Sequence, residues 1–167
     1  MSVEIRKATK IDLEVIHQLA SSIWRKHYPG IISNEQIDYM LEKMYSAESL
    51  LQQLKDGHYF YLAIENQEPI GYYSHSETTP GKYFLHKLYI QTDIQRKGTG
   101  QLLLNHLISL LPDAHEIRLT VNRKNLKAIN FYFKNGFIIE EVKNFDIGNG
   151  YLMEDFVMLK KMLTSVQ

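Results

Sequence analysis

A short basic segment of this sequence has the composition of a phosphate-binding loop. The segment reads Gln95-Arg96-Lys97-Gly98-Thr99-Gly100 and stands between a predicted strand ending at Ile90 and a predicted helix starting near Gly98. Glycines let the backbone approach a ligand closely, and the first N–H groups of a helix carry partial positive charge. Arg96 and Lys97 would add fixed cationic donors. The segment predicts a polyphosphate site, with a plain basic loop at a helix start as the alternative, because short glycine patterns match many unrelated sequences.

The spacing of the glycines excludes two other phosphate motifs. The P-loop requires four residues between its glycines, followed by Lys and Ser or Thr, and the sequence has no such run. The dinucleotide-binding fingerprint requires a third glycine three residues after Gly100, where this chain has Leu103. The segment is therefore neither a P-loop nor a dinucleotide-binding turn.

Helices are predicted to dominate the first third of the chain, after a short strand over residues 3–7. Apolar residues recur at helical spacing behind the capping pair Thr9 and Asp12, until Tyr28-Pro29-Gly30 ends the helix. Two further helices are predicted behind capping serines, at Ser33 and Ser46.

The middle of the chain changes to the patterns of β-structure. Strands are predicted over residues 58–65, 70–77 and 83–90, and they suit an antiparallel meander because each connection is only a few residues long. After the basic loop, an apolar helix, a strand over residues 117–121 and a helix over residues 125–135 are predicted.

The chain closes with a glycine and a hairpin. Gly136 ends the last predicted helix as a left-handed C-terminal residue. Strands over residues 137–145 and 151–160 flank the turn Gly148-Asn149-Gly150. The whole order of elements predicts a mixed sheet with helices packed on it.

Two groups of motifs resemble one known family. Leu85-His86-Lys87-Leu88-Tyr89-Ile90, followed by Gln95-x-x-Gly98-x-Gly100, resembles the acetyl-CoA-binding segment of the GNAT superfamily of N-acetyltransferases. A second motif of that superfamily is similar to Leu119-Thr120-Val121-Asn122, Asn125-x-x-Ala128 and Asn130-Phe131-Tyr132-x-x-Asn135-Gly136-Phe137. The matched part runs from about residue 83 to 137. The resemblance implies an α/β fold with a mixed, mostly antiparallel sheet of about seven strands and helices on both faces. No linker, low-complexity tract or internal repeat interrupts the sequence, so we predict a single domain over residues 1–167.

The resemblance also implies an activity: direct transfer of an acetyl group from acetyl-CoA to a primary amine of a small molecule or peptide. The C-terminal pattern Gly150-Tyr151-x-Met153-x-Asp155-x-Val157-Met158 resembles bacterial polyamine acetyltransferases. Three alternatives stay open. They are a different acceptor (a protein N-terminus, a lysine side chain or an aminoglycoside), a non-catalytic sensor that binds acyl-CoA, and a phosphate-binding module unrelated to CoA.

Cofactor contacts implied by the resemblance fall on three segments. Main-chain groups at Leu88, Tyr89 and Ile90 would pair with the pantetheine arm, and an N–H there would point at the thioester carbonyl. The basic loop, residues Gln95 to Gly100, would bind acetyl-CoA with Thr99 among its residues. Asn125 and Asn130 match positions whose side chains or adjacent backbone contact CoA, although each is equally explained as a helix cap or a solvated polar residue.

Two residues are candidates for proton transfer. Tyr132 matches the family's general acid, which protonates the departing CoA thiolate, and a phenol with its usual pKa near 10 is protonated at neutral pH. The alternative is a packed helix aromatic beside Phe131 and Phe133. His86 is the candidate base that removes a proton from the amine, since it shares a strand face with Leu88 and titrates near neutrality. A structural or merely exposed histidine is the alternative, and His75 and Glu77 on the neighbouring strand are further candidates for the base.

The acceptor amine is expected to bind near the end of the first helix, where the family builds its substrate wall. Trp24 and Tyr28 are the candidates there, with His75 on a neighbouring strand as a further one. Three acids, Asp146, Glu154 and Asp155, would supply charge for a cationic amine. A core tryptophan and solvated acids are the alternatives.

Composition excludes several other classes of function. The 167 residues hold 19 Lys plus Arg against 19 Asp plus Glu, so no net charge steers the chain toward nucleic acid or an anionic membrane. Apolar runs such as residues 102–104 are far shorter than the roughly 20 residues of a membrane span. The sequence has no cysteine, which is compatible with a cytoplasmic protein, and its 7 histidines form no close metal-ligand pattern, so we predict no metal. An exposed strand edge near the C-terminus leaves room for a homodimer.

Overall fold

The helices and strands follow the predicted order. A computed structural model describes residues 2–91, 93 and 98–163, and all statements about structure refer to these residues. The helices in this part of the chain are α1 Leu13–His27, α2 Asn34–Tyr45, α3 Ala47–Lys55, α4 Thr99–Ser109 and α5 Leu126–Lys134, with a short 3-10 turn at Lys10–Asp12. The strands are β1 Glu4–Lys7, β2 Tyr59–Glu65, β3 Glu68–Thr79, β4 Lys82–Ile90, β5 Glu116–Asn122, β6 Ile138–Gly148 and β7 Tyr151–Lys161.

The strands form a mixed sheet in the order β1-β2-β3-β4-β5-β7-β6. The pairs β1–β2, β2–β3, β5–β7 and β6–β7 are antiparallel. β4 and β5 run parallel, with Lys82 opposite Glu116 and Leu85 opposite Leu119 at the two ends of their register. The sheet is therefore mostly antiparallel, as predicted, and its parallel pair joins the two motif-bearing strands.

Capping side chains begin the N-terminal helices where the sequence predicts. The Ser33 hydroxyl accepts a hydrogen bond from the Gln36 N–H at 3.1 Å and starts α2. The Ser46 hydroxyl does the same for α3, accepting from the Ser49 N–H at 3.2 Å. Each serine accepts a hydrogen bond from one of the N–H groups that a helix start leaves without an intrahelical partner.

Strand β3 is longer than the predicted segment of residues 70–77. Asn66 and Gln67 both adopt positive φ, 51° and 68°, and form a two-residue turn that matches the twist of the strands on either side. Pairing therefore continues up to Glu65 opposite Glu68. Residue propensities predicted that the strand starts after Pro69. Because the turn has only two residues, β3 starts at Glu68 and includes Pro69.

Packing divides the chain into two compact units. The first comprises Met1–Ser76 and Lys87–Pro112, and the second comprises Glu77–His86 and Asp113–Gln167. The largest fully buried side chains of the first unit are mainly aromatic, namely Trp24, Tyr45, Phe60, Tyr72 and Tyr73. The buried core of the second unit is built from alternate residues of β5 with partners on neighbouring elements, namely Ile117, Leu119, Phe137 and Met158.

An ion-pair network ties β5 to β6 in the second unit. The guanidinium of Arg118 donates to both carboxylate oxygens of Glu140 at 2.8 Å and to Glu116 at 2.5 Å. Lys82 on β4 also reaches Glu116, at 3.2 Å. The bidentate geometry of the Arg118–Glu140 pair is the form in which a partly exposed ion pair contributes most.

Candidate active site

The first unit contains the described part of the predicted cofactor loop. Gly98 caps α4 in the left-handed region with φ 104°, a conformation that only glycine adopts without strain. Its carbonyl accepts the first helical hydrogen bond, from the Leu102 N–H at 2.9 Å. Thr99 is buried and Gly100 is half-buried. The helix start therefore has the backbone form expected of an anion site, whereas Gln95, Arg96 and Lys97 lie outside the described residues.

Strand β4 supplies the residues predicted to pair with the pantetheine arm. Leu88, Tyr89 and Ile90 are all half-buried. On the side of β3, the strand is in very close contact with Gly71, where an added Cβ would lie 2.7 Å from the Tyr89 carbonyl oxygen. Gly71 is thus required for the approach of the two backbones that holds the end of β4 in position.

Five aromatic residues of the first unit form one cluster, which we call the phenol cluster. It brings together Trp24 from α1, Tyr28 directly after α1, Tyr45 from α2, Tyr72 from β3 and Tyr89 from β4. The Tyr28 and Tyr89 hydroxyls are hydrogen-bonded at 2.8 Å, and the Tyr72 hydroxyl donates to that of Tyr45 at 2.7 Å. Burial raises the pKa of the Tyr45 and Tyr72 phenols well above their ordinary value.

Burial in the phenol cluster differs between its members. Trp24 is only 2% exposed and belongs to the core, which matches the alternative given for it in the sequence. Tyr28, at the C-terminal end of α1, and Tyr89 lie closer to the surface and share the hydroxyl contact. Tyr28, a predicted acceptor residue, is therefore hydrogen-bonded to the side chain of Tyr89 on β4, the strand predicted to bind the cofactor. The sequence named Tyr89 for its backbone and missed its phenol.

His75, the third predicted acceptor residue, lies within a ladder of stacked rings. Its imidazole packs against Tyr59 at 5.5 Å and against Tyr61 and Tyr73 at 6.1 Å between ring centroids. Burial, followed by the positive charges of His58 and Lys7, lowers the pKa of His75 to about 4. The ring is therefore neutral at physiological pH and has the surroundings of a core histidine.

The second unit contains both residues predicted to transfer protons. Tyr132 is 8% exposed and lies in the last turn of α5, in edge contact with Phe131 and Phe137 at 5.3 and 5.4 Å. Its carbonyl accepts hydrogen bonds from the N–H groups of Asn135 and Phe137, both at 3.0 Å. The end of α5 is thereby fixed and the direction of the Tyr132 side chain is restricted. His86 is half-buried on β4 and packs against Phe84 at 4.8 Å.

The two asparagines matched to CoA contacts differ in their surroundings. Asn125 is buried and caps α5, with its side-chain oxygen accepting from the Ala128 N–H at 3.3 Å. Asn130 is exposed on the same helix. Asn125 thus has the capping role that the sequence gave as its alternative, and a CoA contact at either residue stays a prediction.

Of the three acids suggested for amine binding, Asp155 alone is buried, at 2% exposure. Burial raises the pKa of its carboxyl group to about 6, although Arg123 and a hydrogen bond from Thr120 oppose the rise. Glu154 is exposed and lies 3.7 Å from the Arg123 guanidinium. Asp146 is also exposed, and its carboxylate accepts from the Gly148 N–H at 2.9 Å in the hairpin turn.

Two searches of the described residues gave negative results. In residues 2–91, 93 and 98–163, no three His, Asp or Glu side chains come together as metal ligands. Over the same ranges, the helices are too short or too polar to cross a membrane.

Comparison with known proteins identifies the family. Residues 15–137 match the model of the acetyltransferase (GNAT) family. A spermidine N(1)-acetyltransferase of Thermoplasma acidophilum is 31% identical over 96% of this chain and 98% of its own. A probable N-acetyltransferase of Mycobacterium tuberculosis is 31% identical over 83% of this chain and 82% of its own.

Solved structures agree with this result. The crystal structure of PaiA N-acetyltransferase from Thermoplasma acidophilum, in complex with coenzyme A, is 31% identical and superposes with a TM-score of 0.80 over 97% of this chain and 100% of its own. Naa50 of Arabidopsis thaliana, at 20% identity and a TM-score of 0.72, covers 97% of this chain and 100% of its own and shares the fold.

The chain belongs to the GNAT family of acetyltransferases. It is an acetyl-CoA-dependent N-acetyltransferase, and the predicted fold class, cosubstrate and transfer of an acetyl group to an amine are confirmed. The positive-φ glycine at the start of α4 is the feature of this chain that fits a phosphate of the cosubstrate.

Proposed function

We propose that the acceptor is a polyamine such as spermidine. The observation that carries this proposal is the similarity to a spermidine N(1)-acetyltransferase over nearly the full length of both chains. The N-terminal helices, from which the acceptor candidates come, are included in that similarity. The Tyr28–Tyr89 hydroxyl pair and the ring faces beside it suit a cationic amine, because phenol oxygens accept N–H donors and aromatic faces attract cations.

We further propose Tyr132 as the proton donor to the departing sulfur. Acetyl-CoA supplies the acetyl group as a thioester. A buried phenol fixed at the end of α5 can deliver a proton to one position without reorganising. His86 stays the predicted acceptor of the first proton from the ammonium group of the substrate. Both residues belong to the second unit.

The remaining site predictions keep the status of proposals. Leu88, Tyr89 and Ile90 would bind the pantetheine arm through their main chain, and Gly98, Thr99 and Gly100 would bind phosphate at the start of α4. Trp24 and His75 are buried, so they would form the inner wall of the acceptor site and hold the more exposed aromatic rings in position. We also propose that residues 1–167 act as one acetyltransferase domain, because the family match spans residues of both units. Cytoplasmic location and a homodimer stay predictions.

Thiol release from acetyl-CoA, measured with a chromogenic thiol reagent, tests the acceptor. The panel holds spermidine, spermine, short diamines, an aminoglycoside and peptides with a free N-terminus or lysine. We expect turnover with the polyamines and little with the peptides. Turnover confined to a peptide would refute the polyamine proposal. If no amine of the panel caused thiol release while calorimetry still detected acetyl-CoA binding, the polyamine proposal would also be contradicted. That result would favour a non-catalytic sensor that binds acyl-CoA.

Replacing Tyr132 with Phe tests the proton donor. We expect kcat for the preferred amine to fall by about 10²-fold or more, because a positioned general acid contributes on the order of 10² to 10⁴. The dissociation constant of acetyl-CoA, measured by calorimetry, should stay the same. Tyr59→Phe is the matched control, because this tyrosine is exposed on β2. Equal kcat values for Tyr132→Phe and wild type would remove Tyr132 from the mechanism.

A further inference from the structure

A buried carboxyl group in the second unit has no role in the proposed mechanism. Asp155 on β7 lies opposite Asn122, the last residue of β5, and opposite Lys143 on β6. In the described part of the chain, no lysine or arginine nitrogen lies within ion-pair distance of its carboxylate. The guanidinium of Arg123 instead donates to the side chain of Asn144 at 2.9 Å. A carboxylate buried without a paired cation is costly, and such groups are frequent at functional sites.

Thr120 connects this carboxyl group to the surface of β5. Thr120 is opposite Val157 and Asn122 is opposite Asp155, so Thr120 and Asp155 are diagonal neighbours whose side chains share one face of the sheet. Thr120 is half-buried rather than enclosed. Thr120 is also the first residue of β5 beyond the register with β4, which ends at Leu119 opposite Leu85. Ligands of parallel strands bind beyond the carboxyl ends of those strands. Thr120 therefore lies beyond the register with β4, toward the carboxyl end of β5 and two residues before it, with Asp155 diagonally across from it on β7.

Transfer to an amine requires two proton acceptors. The acceptor nitrogen arrives as an ammonium group and leaves as an amide with one N–H, so it loses two protons in all. The first must leave before the C–N bond forms, because a protonated amine has no free electron pair. The second leaves after the bond forms, when the nitrogen carries a positive charge again. The proposed mechanism assigns the first proton to His86 and leaves the second without an acceptor.

We propose that Thr120 and Asp155 form a relay that takes the second proton from the acceptor nitrogen. This inference rests on the proposed acetyl transfer. The C–N bond forms and the C–S bond breaks, with its electron pair passing to sulfur, which Tyr132 protonates. The nitrogen gives its remaining excess proton to the Thr120 hydroxyl oxygen, whose own proton passes to the Asp155 carboxylate. The two protons of the nitrogen thus end on His86 and on Asp155, which later release them to solvent, and Tyr132 regains from solvent the proton that it gave to the CoA thiol.

The surroundings of Asp155 suit this second step better than the first. A carboxylate with a pKa of about 6 is too weak a base for a free alkylammonium group, whose pKa is near 10. It is adequate for nitrogen that has already bonded to the acetyl carbon, because that nitrogen is far more acidic. The charged groups that face Asp155 are Arg123, after β5, and Lys143, opposite it on β6. Arg123 is the cation that favours the ionised carboxylate.

Three variants test the relay. In wild type, kcat should fall on the acidic side of about pH 6, where Asp155 becomes protonated. Thr120→Val and Asp155→Asn should each lower kcat by about 10²-fold and change the acetyl-CoA KM by less than about twofold. Thr120→Ser keeps the hydroxyl and should retain most of the activity. Asp155→Asn should lose the part of the acidic fall in kcat that Asp155 causes, so that its pH profile reports only the protonation of the first base, His86.

Two controls separate a relay from a structural role. Thr78→Val removes a hydroxyl that donates to the Lys82 carbonyl, and Glu141→Gln removes an exposed carboxylate of β6, the strand that pairs with β7. Both should keep wild-type kcat. Asp155→Asn should unfold at the temperature of wild type or above, because burial already disfavours the charge of Asp155. If Asp155→Asn fails to fold, Thr120→Val against Thr120→Ser still decides the question.

Wild-type kcat in both Thr120→Val and Asp155→Asn would overturn the relay and leave the proposed function intact. Equal loss in Thr120→Ser and Thr120→Val would overturn it as well, because packing rather than the hydroxyl would then matter. An active wild type is required for either result. A wild type with no amine-dependent thiol release would instead be the failure of the proposed function.

Discussion

Lys87 is the charged residue whose surroundings are least usual for its type. It is 8% exposed on β4, and its ammonium group donates to the Gln53 side-chain oxygen at 2.7 Å. The faces of Tyr45 and Phe60 lie 5.4 and 5.5 Å from its nitrogen. Burial lowers the pKa of Lys87 from 10.5 to about 8. The aromatic faces and one amide thus only partly replace the water that the charge loses.

This shift in pKa makes stability depend on pH. Between about pH 8 and 10.5, the unfolded chain holds a proton on Lys87 that the folded chain has released. Unfolding therefore takes up a proton, and the free energy of unfolding rises with pH across this window. Below about pH 8 both states are protonated, and the full cost of the buried charge is present. The gain across the window is on the order of 3 kcal/mol.

Replacing Lys87 with Met should remove this dependence. The free energy of unfolding of wild type minus that of Lys87→Met should rise by on the order of 3 kcal/mol between about pH 8 and 10.5. Urea unfolding at several pH values measures the difference, and the titration of other lysines and tyrosines cancels in it. Lys55→Met, on the exposed end of α3, should show no such change. A constant difference for Lys87→Met would mean that Lys87 keeps its ordinary pKa in the fold.

At the scale of residues, roles that depend on sequence neighbours, such as helix capping, could be predicted from the sequence. Roles that depend on tertiary contacts could not. The Ser33 and Ser46 caps followed from spacing, because a cap bonds an N–H only two or three residues away. The burial of Lys87 depends on Gln53 and on rings from other elements, which periodicity does not bring together. Asp155 was named for its charge, and its contact with Thr120 requires the register of β5 with β7.

At the scale of elements, α5 depends on its first residue. Asn125 accepts from the Ala128 N–H at 3.3 Å and begins the helix whose last turn holds Tyr132. The helix has only nine residues, Leu126–Lys134, so the loss of one cap affects a large part of it. Asn125 is buried as well, which makes the cap less replaceable by water.

Variants at Asn125 distinguish a cap from a CoA contact. Asn125→Ala should lower the free energy of unfolding by about 1 kcal/mol, the usual cost of a lost N-cap. Asn125→Ser restores a capping oxygen and should recover most of that loss. The calorimetric dissociation constant of acetyl-CoA in Asn125→Ser should then match wild type. Weaker acetyl-CoA binding in a fully stable Asn125→Ser variant would support the CoA contact that the motif implied.

Element types and their order were predictable because each is encoded locally. Helical spacing, capping serines and the turn at Gly148-Asn149-Gly150 act within a few residues. Strand ends were less accurate, as at β3, where a tight turn extended pairing past Pro69. Which strands are neighbours in the sheet was less predictable from the sequence. The short connections predicted the β2–β3 pair, but periodicity did not specify the order β5-β7-β6.

At the scale of the whole molecule, β6 is one of the two edge strands of the sheet, and β1 is the other. The exposed apolar residues of β6 include Val142, at 62% exposure. The strand also carries two irregularities in its register with β7, between Ile139 and Glu141 and between Asp146 and Gly148. Lys143 lies in the regular run between them. Bulges and a central lysine both discourage pairing between edges, so this edge is protected against association in spite of its length.

Removing the central charge should weaken that protection. Lys143→Val would add a second valine directly after Val142 on the exposed strand, on the sheet face that it shares with Phe145. We expect this variant to self-associate at concentrations where wild type does not, as measured by size-exclusion chromatography with light scattering. Lys124→Val, an equal loss of charge in the loop before α5, is the control and should behave as wild type. The same mass for Lys143→Val and wild type would mean that the bulges alone protect β6. Wild type that is already dimeric, and is dissociated by Lys143→Glu, would instead make this edge the interface of a homodimer.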